Sequence, residues 1–216
     1  MDLFGLRQLS EMIEAKGGAF ALDYLLLNTA PGFWNKSGFL TFISGWIPEV
    51  YSLTESAEAG PHHREESTYS HTVRVIKNLP KNALLRRAAL FHDTGKASVC
   101  VVSNSKGQYH GHAEKSAEIT SGVMARLGYG REETQKTVLL VKNHMRPVLY
   151  NAPGTNGWSD RAVRKLVKDT NGMHGLLIRL ALADVKGMSG TGLDTDKTLR
   201  IMELKKRIER VIDERE

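Results

Sequence analysis

The sequence has one cysteine in 216 residues, Cys100. An internal disulfide and a thiolate cluster for zinc are therefore excluded. It also has no run of 18 consecutive apolar residues, and no basic segment followed by an apolar run near Met1. We therefore expect no membrane span and no secretory signal. With so little cysteine, we expect the protein to lie in a reducing cytoplasm.

The composition is that of a globular protein, with 41% hydrophobic and 25% charged residues. A chain of this length is sufficient for one domain with a sizeable core. The net charge of +6 favours anionic partners, among them nucleotides and RNA. We interpret the Arg86-Arg87 pair and the run from Lys205 to Arg207 as solvated helix faces rather than binding patches.

The hydrophobic spacing predicts an almost entirely helical protein, so the expected fold class is all-α. Ser70 is the predicted N-cap of the first core helix, and Gly128 the predicted end of a later one. Residues 31–48 are rich in aromatics and glycine and are predicted to be a packed irregular segment. A short strand or extended segment is expected at 99–102. Helices are predicted at 3–16, 20–27, 71–79, 83–92, 113–127, 132–145, 160–168, 174–186 and 196–215.

A polar stretch with a Gly60-Pro61 break divides the chain. We predict a small N-terminal helical appendage at residues 1–60 and a catalytic core at 61–190. Residues 191–216 are predicted to be an amphipathic helix that packs on the core, with Leu199 and Met202 (or Ile201) among its apolar residues.

Histidines and aspartates at helix ends and on apolar helices predict a metal site. His71, His92, Asp93 and Asp184 are expected to hold one divalent cation and leave positions open for water and substrate. Mixed imidazole and carboxylate ligands suit manganese, iron, cobalt, nickel or zinc, whereas magnesium prefers fewer nitrogens.

A second ion is the next expectation. His112 and His144 lie on helices between the first ligands, and a carboxylate such as Asp93 has two oxygens with which to bridge two metals. The number of ions, one or two, is left open. Taken alone, a histidine is more often a surface residue, and Asp184 has the alternative of a salt bridge to an arginine.

Basic side chains close to these ligands are candidates for binding a phosphate. Lys96 follows the His92-Asp93 pair, and Arg146 follows His144 by two residues. The alternative for Lys96 is a solvated position at a helix end. Three further histidines are expected to be loop or outer residues: His62, His63 and His110.

The motif H-D-T-G-K at 92–96, with the histidine before it and the aspartate after it, resembles the HD superfamily of metal-dependent phosphohydrolases. The closer resemblance is to the HD domain of bacterial CCA-adding tRNA nucleotidyltransferases. The segments that carry it cover about 61–190, namely 62–71, 111–117 (GHAEKSA), 141–147 (VKNHMRP), 158–165 and 182–184. The nucleotidyltransferase head is absent, so a free-standing HD domain is expected.

This resemblance implies an HD-domain helical bundle that hydrolyses nucleotide or RNA phosphate esters, such as 2′,3′-cyclic phosphates. It implies catalytic roles for Asp93, Lys96 and Arg146, and substrate-binding roles for Lys96, Lys115 and Arg146. One departure lies before His71, where Arg64 and Glu66 stand in place of the family's proline and glycine.

Two other hypotheses stay open at this point. The chain is alternatively an HD scaffold that binds a nucleotide or RNA around a structural metal without turnover. A third hypothesis is that the aromatic N-terminal segment mediates assembly into a homo-oligomer.

Overall fold

The computed structural model describes residues 3–55, 67–99, 101–103, 106–154, 157–188 and 194–214. Helices dominate these residues and one short hairpin, β1 and β2, interrupts them, so the all-α expectation is confirmed. The elements in chain order are α1 Leu3–Lys16, α2 Gly18–Asn28, α3 Ser37–Trp46, α4 Pro48–Tyr51, α5 Thr68–Lys77, α6 Ala83–Phe91, α7 Lys96–Val99, β1 Val101–Ser103, β2 Lys106–Gln108, α8 His112–Leu127, α9 Arg131–Asn143, α10 Met145–Val148, α11 Asp160–Asp169, α12 His174–Gly187 and α13 Thr195–Asp213.

The aromatic segment at 31–48 was predicted to be irregular, and the structure shows that this prediction is wrong. Most of it is helix α3, which buries Phe39 and Ile43 completely. Ring contacts among Phe33, Trp34 and Phe39 hold the segment together, with centroids 4.7–5.1 Å apart. The Tyr69 hydroxyl on α5 donates to the Trp34 carbonyl at 2.7 Å. Glycine content misled the prediction, because tertiary packing outweighs a weak local propensity.

Two arginines join the N-terminal helices to α6, which contradicts their interpretation as solvated residues. Arg87 is buried and pairs with Asp23 of α2, and its guanidinium lies 4.9 Å from the Tyr129 ring centroid. Arg86 donates to the carbonyls of Leu26 and Leu79. Residues 3–55 thus share one continuous hydrophobic core with the later helices. The three-part domain division stays a prediction.

Capping residues set the starts of the core helices. Ser67, rather than the predicted Ser70, caps α5, since its hydroxyl accepts the backbone N–H of Ser70 at 3.3 Å. Asn82 caps α6 in the same way. Gly128 ends α8 with a φ of +85°, as predicted, because this left-handed conformation favours glycine. These boundaries orient α5, α6 and α8 around the candidate site.

Helix α13 packs on α10, α11 and α12 through an apolar stripe. The stripe comprises Ile201, Leu204, Ile208 and Val211, which are buried. Leu199, predicted on this face, is instead 62% exposed, and Met202 is also exposed, so Ile201 was the correct alternative. Among the described residues, we find no helix with the length and apolarity needed to cross a bilayer.

Candidate metal centre

All six predicted ligands converge on one place from five parts of the fold. His71 lies in the first turn of α5, and His92 and Asp93 follow the last residue of α6. His112 opens α8, His144 lies between α9 and α10, and Asp184 lies in the last turns of α12. The five groups other than Asp184 are buried. Long-range packing therefore assembles side chains that are up to 113 positions apart in sequence.

The potential ligands form two sets of three. One set is His71, His92 and Asp184, and the other is Asp93, His112 and His144. Within each set, the ligand atoms all lie within 4.8 Å of one another. Each set offers two imidazole nitrogens and one carboxylate oxygen, a donor set that suits a first-row divalent metal and leaves coordination positions free.

Asp93 lies between the two histidine pairs and directs one oxygen to each. Its Oδ2 lies 3.0 Å from His92 Nε2 and 3.8 Å from His71 Nε2. Its Oδ1 lies 3.5 Å from His112 Nε2 and 3.8 Å from His144 Nε2. A carboxylate with this orientation is able to bridge two cations.

Backbone carbonyls orient three of the imidazoles. The Nδ1–H of His92 donates to the Ala89 carbonyl at 2.7 Å, and His112 and His144 make the same bond, also at 2.7 Å, to the residue three positions earlier. A neutral ring that donates from Nδ1 presents its lone pair at Nε2, the arrangement found in metal-binding histidines.

The Nε2 atoms of the four histidines form two close pairs, and each pair favours a cation bound between its two nitrogens. His71 Nε2 lies 3.3 Å from His92 Nε2, and His112 Nε2 lies 3.2 Å from His144 Nε2. Two lone pairs at this separation repel each other unless a proton or a metal ion lies between them. The Nδ1 of His71 is buried with no partner among the described residues, so it lacks the carbonyl support of the other three.

The electrostatic balance of the site keeps both carboxylates ionised. Burial alone would raise the pKa of Asp93, but the charges of His92 and Lys96 hold it well below its usual range. Burial is likewise outweighed at Asp184, where the hydrogen bond and charge of His71 lower the pKa to about 2. Both groups are therefore negative at neutral pH, as metal ligands require.

The imidazoles respond differently to the same surroundings. Burial alone would lower the pKa of His92, but Asp93 and Asp184 raise it to about 9. Burial and the charge of His92 lower the pKa of His144 to about 4. At pH 7 in the metal-free protein, His92 therefore carries a proton that a metal must displace, whereas His144 is already neutral.

Lys96 is not a solvated helix-end residue. Its Nζ lies 2.8 Å from Asp93 Oδ2 and 5.6 Å from the Tyr109 ring centroid, and its side chain is 13% exposed. It lines the same cavity as the ligands. A cation held here neutralises part of the Asp93 charge and lies at the cavity wall.

Gly95 is required for close packing between the H-D turn and α8. A Cβ at this position would lie 2.5 Å from the His112 carbonyl oxygen and 2.6 Å from the Ser116 nitrogen. The Gly95 N–H donates to the Ser116 hydroxyl at 2.8 Å. This contact brings the H-D turn against the start of α8 and so sets the distance from Asp93 to His112.

Arg146 lines the cavity beyond His144. Its Nη1 donates to Asn143 Oδ1 at 3.0 Å and to Asp169 Oδ2 at 2.8 Å, and its guanidinium lies 5.7 Å from the Trp158 ring centroid. Asp169 had no signal in the sequence as a partner of Arg146, because this contact joins α10 to α11 across 23 positions of the chain. The bonds hold Arg146 in place at the cavity wall.

The structure does not bring Lys115 to the site. Its Nζ pairs with Glu118 at 2.9 Å, and the residue is not part of the cavity wall. His110 is a turn residue at the cavity edge, as expected of a loop histidine. His62 and His63 lie outside the described residues.

The sequence model of the HD domain matches residues 68–186, which is more than half of the chain. The chain belongs to the HD domain family. The resemblance predicted from the H-D-T-G-K motif is confirmed. HD domains are generally metal-dependent phosphohydrolases that bind divalent ions, and the two ligand sets agree with that class.

The relatives of this chain include a multifunctional CCA protein and two tRNA nucleotidyltransferases. The multifunctional CCA protein of Legionella pneumophila (strain Lens) is 31% identical over 102 residues, which are 46% of this chain and 24% of the relative. The A-adding tRNA nucleotidyltransferase of Deinococcus radiodurans is 28% identical over 154 residues, 67% of this chain and 32% of the relative. The CC-adding enzyme of Thermus thermophilus is 32% identical over 107 residues, 46% and 24%. The chain thus spans a quarter to a third of the length of these relatives.

Proposed function

We propose that this HD domain is a divalent-metal-dependent phosphohydrolase that acts on nucleotide or RNA-derived phosphate esters, with 2′,3′-cyclic phosphates as the leading candidates. The observation that carries the proposal is the position of Asp93, whose two oxygens face two separate histidine pairs beside an open cavity. A purely structural metal site is normally closed by protein ligands, whereas these sets have free positions.

The proposed ligands divide between two ions. His71, His92, Asp184 and Asp93 would hold one, and Asp93, His112 and His144 the other, with manganese, iron, cobalt, nickel, zinc or magnesium as candidates. Such ions, when bound, supply Lewis-acid activation of water and of phosphate oxygens. The chain's own contribution is to hold the ligands rigidly and to keep the carboxylates ionised.

Two cations of the chain are proposed to bind the substrate phosphate. Lys96 lies against Asp93, and it would stabilise negative charge that develops on the phosphate during hydrolysis. Arg146 is oriented by Asn143 and Asp169 and would bind a phosphate oxygen further along the cavity. Lys115, directed to Glu118, has no part in this proposal.

The proposed substrate class rests on the net charge of the protein and on its sequence similarity to named relatives. A net charge of +6 favours polyanions, and the names of the relatives refer to tRNA. A reducing cytoplasm is the proposed location, in keeping with a single cysteine. Assembly into a homo-oligomer stays a prediction.

The decisive experiment measures metal content and turnover on the same samples. The purified protein is reconstituted with manganese, cobalt or nickel, assayed on bis-p-nitrophenyl phosphate and 2′,3′-cyclic AMP, and compared with His112→Ala and His144→Ala. Both variants should lose about one ion per chain and most activity. His174→Ala is the matched control, because this histidine belongs to neither ligand set.

The alternative function, a nucleotide- or RNA-binding module without turnover, draws on the same basic character of the protein. It predicts metal retention and ligand binding with no hydrolysis in any metal tested. Wild-type protein that holds a single ion at saturation would overturn the two-metal assignment and make His112 and His144 substrate-binding groups.

A further inference from the structure

The cavity beside the metal centre is larger than a nucleoside cyclic phosphate needs. Its volume is about 1740 Å³, and it runs from His71 and Asp184 to Arg200 on α13. Pockets that enclose a drug-sized ligand measure roughly 300–1000 Å³. Space for a longer ligand therefore continues beyond the position where the hydrolysed ester would lie.

The cavity wall away from the six ligands and Lys96 is rich in positive charge. Its basic residues are Lys136, Lys142, Arg146, Lys165, Lys197 and Arg200. Its acidic residues are Glu114, Glu132 and Asp169. The excess of cations indicates that the distal part of the cavity accommodates an anion.

Most of these cations already have a carboxylate partner. Lys136 pairs with Glu132, both Arg146 and Lys165 pair with Asp169, and Lys197 lies 3.2 Å from Asp194. A lysine that is neutralised in this way adds little attraction for a further anion, and Arg146 already has a proposed role at the phosphate of the hydrolysed ester. The cations without such a pair in the described part of the chain are the ones that matter for binding.

Arg200 stands out among them. Its Nε is buried and has no hydrogen-bond acceptor among the described residues. Asp194 is the nearby acid, but its pKa is lowered mainly by the backbone N–H and side chain of Lys197, with Arg200 as the smallest contribution. The Arg200 side chain as a whole is half-buried, and it lies on the cavity wall with no carboxylate bonded to it among the described residues.

Arg200 also lies outside the region shared with the HD domain family, which ends at residue 186. The C-terminal helix α13 carries it, and the buried stripe with Ile201 and Leu204 holds that helix against the core. The arginine thus has a fixed position on the cavity wall that the common HD motif does not supply.

Resting on the function proposed above, we propose that Arg200 binds a second phosphate of the substrate, on the 5′ side of the nucleoside whose 2′,3′ ester is hydrolysed. The substrate is then the end of an RNA chain rather than a free nucleoside cyclic phosphate. Guanidinium groups match phosphate oxygens with paired donors, which is why a single well-placed arginine suffices for such a position.

Three substrates with the same scissile ester test this proposal. They are adenosine 2′,3′-cyclic phosphate, the same compound with a 5′-phosphate, and the dinucleotide ApA with a 2′,3′-cyclic end. The wild-type kcat/KM should be on the order of tenfold higher for the dinucleotide than for the first compound, as expected for one charged hydrogen-bonded contact. A preference for the 5′-phosphorylated mononucleotide alone would overturn the RNA-end assignment.

Variants then assign the preference to Arg200. Arg200→Ala should reduce kcat/KM for the dinucleotide about tenfold more than for the cyclic mononucleotide, and Arg200→Lys should restore part of the difference. Lys206→Ala removes a charge from the same helix outside the cavity and should keep the wild-type preference. Equal losses on all three substrates in Arg200→Ala would refute the second phosphate position while leaving hydrolysis itself established.

Calorimetric binding keeps the inference testable if no substrate is hydrolysed. Adenosine 3′,5′-bisphosphate should bind more tightly than adenosine 3′-phosphate, and Arg200→Ala should abolish that difference. This result without turnover would contradict the proposed hydrolase function and support the binding position. Equal affinities of the wild-type protein for the two nucleotides would overturn the position itself.

Discussion

Replacing Asp93 with asparagine is the sharpest test of the metal centre, because it removes charge while keeping shape. The wild-type carboxylate lies 3.0 Å from His92 Nε2 and 2.8 Å from Lys96 Nζ through Oδ2, and 3.5 Å from His112 Nε2 through Oδ1. An amide preserves the side-chain volume but is a poor ligand and offers one acceptor oxygen instead of two. One substitution therefore acts on both ligand sets.

The expected loss of metal follows from the ligand count. Without the carboxylate, the second set keeps only His112 and His144, whereas His71, His92 and Asp184 still surround the first position. Loss of a residue that merely supports a ligand costs about 10–100-fold in metal affinity, so loss of a shared ligand should cost more. We expect Asp93→Asn to hold at most one ion, and its turnover to fall about 10³-fold, which corresponds to about 4 kcal/mol.

The same variant changes the pH dependence of stability in the metal-free protein. Asp93 is a main reason that the pKa of His92 rises from 6.5 to about 9. At about 1.4 kcal/mol per pKa unit, the shift corresponds to about 3 kcal/mol of folding free energy. Because this pKa is raised on folding, the contribution is complete below about pH 6.5 and is lost as the pH rises through about 9. Asp93→Asn should remove most of that slope.

The assay combines metal analysis, hydrolysis rates and chemical denaturation of chelator-treated protein between pH 6 and 9.5. Asp213→Asn, an exposed carboxylate at the end of α13, is the control and should match wild type in all three. Two ions per chain and a rate within twofold of wild type in Asp93→Asn would refute the assignment of Asp93 as a bridging ligand.

Three further predictions follow from the site. Metal binding at pH 7 should release about one proton, since the pKa of His92 is about 9 in the metal-free protein. Calorimetry in buffers of different ionisation enthalpy measures the proton release, and a binding enthalpy that does not depend on the buffer would contradict the prediction. Lys96→Ala should keep its metal but lose turnover on the order of tens to hundreds-fold, and a rate near wild type at equal metal content would mean that Lys96 is only structural. Gly95→Ala should destabilise the protein by about 1–3 kcal/mol in denaturation and weaken metal binding at His112, because its Cβ overlaps α8. Gly122 lies on α8 in open space, so Gly122→Ala should be neutral or stabilising. Equal stability and metal binding in the Gly95 and Gly122 variants would disprove the close contact at Gly95.

Residue types and local periodicity were sufficient to predict the longer helices other than α3 and the metal-binding chemistry. The apolar spacing of α8, α9 and α12 and the cap at Gly128 are local signals, readable over one or two turns of chain. The H-D-T-G-K motif with its companion segments was sufficient to recognise the family. The six histidines and aspartates expected to bind metal are the six that the structure brings together.

The errors at this level have physical reasons. Arg87 looked like a surface residue because charged side chains usually are, yet its partner Asp23 lies 64 positions away on α2. Lys115 lies within a family-like segment, but its Nζ pairs with Glu118 and the residue is not part of the cavity wall, so its substrate-binding role stays a prediction. Glycine content made residues 31–48 look irregular, although their aromatic side chains pack as a helix.

The sequence by itself determined which donors the site contains, since residue chemistry and local helix geometry are properties of the chain. Only the tertiary structure decided how those donors are divided. The turn after α6 directs the two oxygens of Asp93 to different histidine pairs, and the close contact between Gly95 and α8 sets their spacing. The same holds for Arg200, whose place on the cavity wall depends on how α13 packs on the core. These relations join residues far apart in the chain, so they arise from packing and have no local signal.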